Sequence, residues 1–215
     1  MISLPLVYTV LALITYTTSF WYLFIRLMSQ RSPNLLNYAL MVGLGLVLHG
    51  TVLYQDMMTP FGVNYDVFNL LSFTFGLMLA LSLILSLIRP ILPLNLIGIP
   101  VAAVGLILGF AFSQPTQVVN NHNFWLDLHI ILSLSAYAIL LMATIHALLL
   151  WFQDRELKKK QKRRIWVNLL PPFQVMESLL FDLIITGFGL LTAALMFGFF
   201  TIDNFFAQHL VHKTA

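Results

Sequence analysis

Six apolar stretches, each near the length of a membrane span, limit this chain more than any other feature. They run from Leu4 to Ile25, Leu35 to Tyr54, Val67 to Ile88, Leu94 to Phe112, Trp125 to Phe152 and Leu179 to Phe200. A helix rising about 1.5 Å per residue needs roughly 20 apolar residues to cross the hydrocarbon layer. Lipid offers the backbone no hydrogen-bond partners, so only helices and closed barrels can cross it. The runs are too long for barrel strands and show no sustained period-two alternation. The expected fold is therefore all-α, a polytopic transmembrane helix bundle of about six spans. Composition agrees: 60% of the 215 residues are hydrophobic and only 9% are charged, where a soluble domain carries about a quarter charged residues.

Orientation follows from Lys and Arg, which concentrate in short cytoplasmic loops. Arg26 and Arg31 follow the first run, Arg89 lies in the Arg89-Pro90-Ile91-Leu92-Pro93 turn, and Arg155, Lys158, Lys159, Lys160, Lys162, Arg163 and Arg164 follow the fifth. These three loops fall on one side. The Asp56 to Asp66 loop, the Gln114 to Phe124 loop and the tail fall on the other, with Lys213 their only Lys or Arg. The N-terminus and the tail are thus expected outside. The first run lacks a basic n-region and exceeds a signal-peptide core in length, so it is expected to be a retained span. The whole of 1–215 reads as one transmembrane domain, with a basic cytoplasmic loop at 153–178 within it.

The chain has no cysteine. That excludes disulfides, thiolate metal sites and the Cys-x-x-Cys-His attachment of a c-type cytochrome. Nucleotide-binding, nucleophile-elbow and zinc-protease motifs are missing as well, so the reading is of a protein that is not an enzyme. The basic patch is short and juxtamembrane, which argues against nucleic acid. It fits a solvated helix end among anionic headgroups, where each charge contributes about 1 kcal/mol. Asp182, expected about one turn inside the sixth span, needs a cation or a proton, and the basic loop is the expected partner. Gly43-Leu44-Gly45 and Gly187-Phe188-Gly189 are expected to let helices approach closely. Pro100 falls inside the fourth span and carries no functional assignment.

The six histidines are at positions 49, 122, 129, 146, 209 and 212, and all but His146 belong to the outer side. Neutral imidazoles gathered on one face of a chain without Cys suggest ligands for haem iron or a divalent metal. Helical rise separates His129 from His146 by about 25 Å, so they cannot share an iron. His146 reads as a packing residue. His209 and His212 would project from one side of a helix and cannot be trans ligands. A bis-histidine haem needs one ligand from the tail and one from another helix, and His129 is the best partner for the tail. Asp127 then suits an outer-shell or propionate-neighbour role, or simply the positive end of the helix dipole. Ser133 and Tyr137 follow on the His129 face at helical spacing. Trp125, Phe124, Phe205 and Phe206 could flank a flat macrocycle or form an interfacial belt.

Several segments carry a family resemblance. They are His49, Phe68-Asn69-Leu70-Leu71-Ser72-Phe73, Trp125-Leu126-Asp127-Leu128-His129 with Ser135-Ala136-Tyr137-Ala138, Leu170-Pro171-Pro172-Phe173 with Met176-Glu177-Ser178-Leu179-Leu180-Phe181, and His212-Lys213-Thr214. Over essentially its whole length the chain resembles the cytochrome c assembly protein family of haem-handling membrane proteins, of the CcsA/CcmC type, and in particular its short YpjD/HemX-like branch. The resemblance implies non-covalent haem near the outer face of a bacterial cytoplasmic membrane, held in service of cytochrome c maturation with other maturation proteins as partners. It makes His129 an outward-facing ligand and assigns His49 to a second, membrane-embedded site. With His212 as the second axial ligand at His129, the cofactor-binding set is His129, His212, His49 and Asp127. The tryptophan-rich loop of large members is missing, and relatives continue into further helices that begin near His212, so a C-terminally short form is expected. The alternatives are a regulator of haem biosynthesis acting through the basic loop, a small b-type electron carrier, and a transporter.

Overall fold

The computed structural model describes residues 4–114, 118–119, 124–158 and 170–200. Its elements are α1 (Leu4–Met28), α2 (Leu35–Met57), β1 (Met58–Thr59), β2 (Gly62–Asn64), α3 (Val67–Ile88), a 3₁₀ turn (Leu92–Leu94), α4 (Asn95–Phe112), β3 (Val118–Val119), α5 (Phe124–Lys158) and α6 (Phe173–Phe200). All six helices are long and apolar enough to cross a membrane. The expected spans are present, with differences at their ends. The fifth helix continues to Lys158, and the sixth begins at Phe173, directly after Pro171-Pro172. Proline suits the start of a helix because the first turn needs no N–H from it. The segment expected as a loop at 153–178 is therefore helical at both ends.

Local chemistry sets the other boundaries. Asn34 caps α2 by accepting from the Asn37 N–H, and Asp66 caps α3 by accepting from the Phe68 N–H, each satisfying an orphan donor of a first turn. At the end of α1 the Gln30 N–H donates to the Leu27 carbonyl and the Arg31 N–H to the Arg26 carbonyl. This C-terminal pattern needs a left-handed residue, and Gln30 takes it at φ 52°. Gly62, at φ 134°, turns the tight hairpin between β1 and β2. β3 adds to β2, giving a small three-stranded antiparallel sheet in the order β1-β2-β3. Strands this short leave no trace in a hydropathy pattern.

The bundle has two buried clusters. One gathers Tyr16 and Leu23 of α1, Tyr38 and Val42 of α2, Leu79 and Leu83 of α3, and Ile99 and Leu106 of α4. The other gathers Met78 of α3, Ile139 and Met142 of α5, and Met176, Leu179 and Leu183 of α6. Helix α3 contributes to both, so it is the partition of the molecule. Large apolar side chains such as Leu36, Leu40, Ile88, Ile185 and Phe188 stay exposed. Helices that are apolar outside as well as inside suit lipid.

The two ends differ in charge. Arg26, Arg89, Arg155 and Lys158 gather at the basic end, and Asp56, Asp66 and Asp127 lie at the hairpin end. At the basic end, Asp182 pairs with Arg89, Nη2 to Oδ2 2.6 Å; residues 159–169 of the expected basic loop lie outside the described residues. α6 begins six residues earlier than expected, and Asp182 faces the end of α3. Close approach at glycine is confirmed for half of each expected pair. A Cβ on Gly45 would lie 2.6 Å from the Tyr16 ring and one on Gly187 2.8 Å from Leu140, while Gly43 and Gly189 face open space. Gly45→Ala should therefore destabilise the protein by about 1–3 kcal/mol and Gly43→Ala should not, as measured by thermal unfolding in detergent. A double-mutant cycle on Arg89 and Asp182, both partly exposed, should give a coupling of about 0.2–1 kcal/mol.

Candidate functional site

His129 sits in the second turn of α5, at the hairpin end. Its Nδ1 lies 2.6 Å from the carbonyl oxygen of Ala194 on α6. A carbonyl only accepts, so Nδ1 carries the proton and donates it. In a neutral imidazole the lone pair is then on Nε2. Metal-binding histidines share this arrangement, because a bond from one ring N–H to a carbonyl fixes the tautomer and raises the basicity of the other nitrogen. Among the described residues, the ring makes this one hydrogen bond.

Helix packing makes the bond possible. Gly198 lies one turn beyond Ala194, and a Cβ there would meet His129 Nδ1 at 2.7 Å. The imidazole rests on bare backbone. Ala194 and Gly198 form a small-x-x-x-small pair of the kind that lets membrane helices approach closely. Their spacing is visible in the sequence. One turn outward from His129, the Trp125 ring stacks on Phe197 with centroids 5.8 Å apart and planes at 18°, and Phe124 meets Trp125 edge-on. Beside the histidine there is thus a flat aromatic wall.

Asp127 is held from the stretch that leads into α3. The Tyr65 hydroxyl, two residues before α3, donates to Asp127 Oδ1 at 3.2 Å. Burial, and then the neighbouring Asp127 carboxylate, push the Tyr65 phenol up from its ordinary range, so it stays a donor. Nothing in the sequence pattern pointed to Tyr65. Of the other residues singled out near His129, Tyr137 is exposed and Ser135 donates to the Ile131 carbonyl at 2.8 Å. His122, His209, His212, Phe205 and Phe206 lie outside the described residues.

His49 has a different environment. It is 1% exposed, its Nδ1 is 3.1 Å from the Tyr16 hydroxyl and its Nε2 is 2.9 Å from Ser72 Oγ. Both nitrogens are engaged, by α1 on one side and α3 on the other. The ring lies flat against Gly76, where a Cβ would approach within 3.2 Å. No ring nitrogen of His49 is open to a metal in this arrangement, and a planar macrocycle has no room beside it. His146 is a buried packing residue, as expected, donating from Nδ1 to the Met142 carbonyl at 2.8 Å. Among the described residues, no group of three or more His, Cys, Asp or Glu side chains is placed to hold a metal ion.

The fold and site together define a polytopic helical membrane protein that presents one pre-oriented imidazole near the hairpin end. The chain belongs to the cytochrome c assembly protein family, whose model matches residues 4–215. Neither a curated protein nor a solved structure gives a match.

The tautomer is directly measurable. Nitrogen NMR of histidine-labelled protein should show His129 protonated at Nδ1, and Gly198→Leu, which displaces the ring from Ala194, should abolish that state. An Nε2-protonated His129 in the unmodified protein contradicts the assignment.

Proposed function

We propose that this protein binds haem non-covalently at its hairpin end and handles it for cytochrome c assembly, acting as a binding protein rather than an enzyme. His129 would hold the iron through Nε2, and His212 of the tail would be the second ligand. Bound haem would supply an iron centre, and the residues here fit it in three ways. The Ala194 carbonyl fixes the tautomer that a ligand needs. Trp125 and Phe197 offer a flat apolar wall. Asp127, held by Tyr65, would steady the start of α5, which carries His129. The bond from His129 to Ala194 is the observation that carries this reading.

Family membership supports the assembly role. The gathering of Arg and Lys at the basic end supports an N-terminus and a His129 on the outer side of a bacterial cytoplasmic membrane. Other cytochrome c maturation proteins would be its partners there. The second, embedded site inferred for His49 would require Ser72 to release Nε2 and the surrounding helices to separate, so the primary site is placed at His129.

Absorbance spectra of detergent-purified protein, oxidised and reduced, test the proposal. The unmodified protein should carry haem or take it up when supplied. His129→Ala should lose the spectrum, and Gly198→Leu should weaken haem affinity about 10–100-fold by disturbing the ligand's support. A protein that carries no haem even when haem is supplied sinks the reading, as does an unchanged spectrum in His129→Ala.

A further inference from the structure

Toward the hairpin end from the hydrogen bonds around His49, α3 carries a residue that the haem reading does not use. Asn69 of α3 is fully buried, and both ends of its carboxamide lack a partner among the described residues. Buried amides in native proteins are almost always bonded, and ordered water is the usual partner when protein groups are missing. Asn69 lies three residues before Ser72, hence on the same face of α3 and about one turn nearer the hairpin end. Like Ser82, which donates to Asn95 Oδ1, Ser72 bonds a side chain and not its own helix. Thr9, Thr17, Thr74, Ser135, Thr144 and Thr192 all donate to the carbonyl four residues back. The Ser72 hydroxyl instead bonds His49 Nε2.

A polar cavity of about 210 Å³ lies in line with this column, bounded by Gln55, Asp56, Asn64, Phe110 and Ser113. Helical periodicity fixes its place. Asp56 is seven residues beyond His49 on α2, so the two share a face about 10 Å apart. Ser113 is four residues beyond Gly109 on α4, and a Cβ on Gly109 would touch Ser72 at 2.9 Å. The cavity therefore opens above Ser72 and His49, with Asn69 between. Its polar lining and its volume both suit water.

We propose that water enters from this cavity, binds the Asn69 carboxamide, and joins the Ser72–His49–Tyr16 hydrogen-bond chain. The column gives the membrane-embedded His49 ring exchange with the aqueous phase at the hairpin end. Tyr16 closes its far end, packed against Gly45 and 1% exposed. The proposal is independent of haem and is tested on haem-free protein.

Radiolytic hydroxyl-radical labelling reads water beside buried side chains. His49 and Tyr16 should be labelled within about tenfold of exposed Tyr54, whereas Met78, as deeply buried but in the apolar cluster, should be protected despite its greater reactivity. Asn69→Leu, which removes the polar partner, and Ser113→Leu, which fills the cavity from a site remote from the column, should each lower His49 and Tyr16 labelling about tenfold while leaving Tyr54 unchanged. A fall in either variant that keeps Met78 protected supports the column, so a failure of Asn69→Leu to fold leaves Ser113→Leu as the test. Wild-type His49 as protected as Met78, or labelling that neither variant alters, overturns it.

Discussion

The hairpin end of this molecule depends on one hydrogen bond between helices, from His129 Nδ1 to the Ala194 carbonyl. In lipid such a bond has no competing water, and it does two things at once. It ties the start of α5 to the end of α6, and it selects the imidazole tautomer that leaves a lone pair on Nε2. The bond exists only because α6 offers an alanine and a glycine one turn apart, so that an aromatic-sized ring can lie on backbone. Close helix packing and the choice of imidazole tautomer are here the same contact.

Three buried or half-buried histidines show how surroundings separate residues of identical chemistry. His146 spends its Nδ1 proton on its own helix and is enclosed in the methionine-rich cluster between α3, α5 and α6. His49 is engaged at both nitrogens and links α1, α2 and α3. His129 is bonded at one nitrogen alone, near the aromatic pair of Trp125 and Phe197. His146 also leaves Nε2 without a partner, but its ring is 2% exposed, so a free nitrogen and access together favour His129 among these three.

Much of this was legible before any coordinates. Long apolar runs have one structural solution in lipid, so the six helices and their order follow directly. The place of His129 and Asp127 near one end follows from counting residues along α5. What could not be read was which partner each polar group finds across the bundle. Asp182 meets Arg89, 93 positions away, a pairing between two different helices. Tyr65 reaches Asp127 across 62 positions, and periodicity within one helix carries no information about such pairs. The small sheet escaped notice for another reason: strands of two or three residues are fixed by the Gly62 turn and not by hydropathy.

The central claim is that His129 Nε2 is an iron ligand. Pulsed electron paramagnetic resonance on ferric, haem-loaded protein containing nitrogen-15 histidine measures that bond directly, through the hyperfine coupling between iron and an axial nitrogen. The account predicts couplings to two histidine nitrogens, of which one is lost in His129→Gln while both are retained in His49→Gln and His146→Gln. Two histidine couplings that survive His129→Gln unchanged would contradict it.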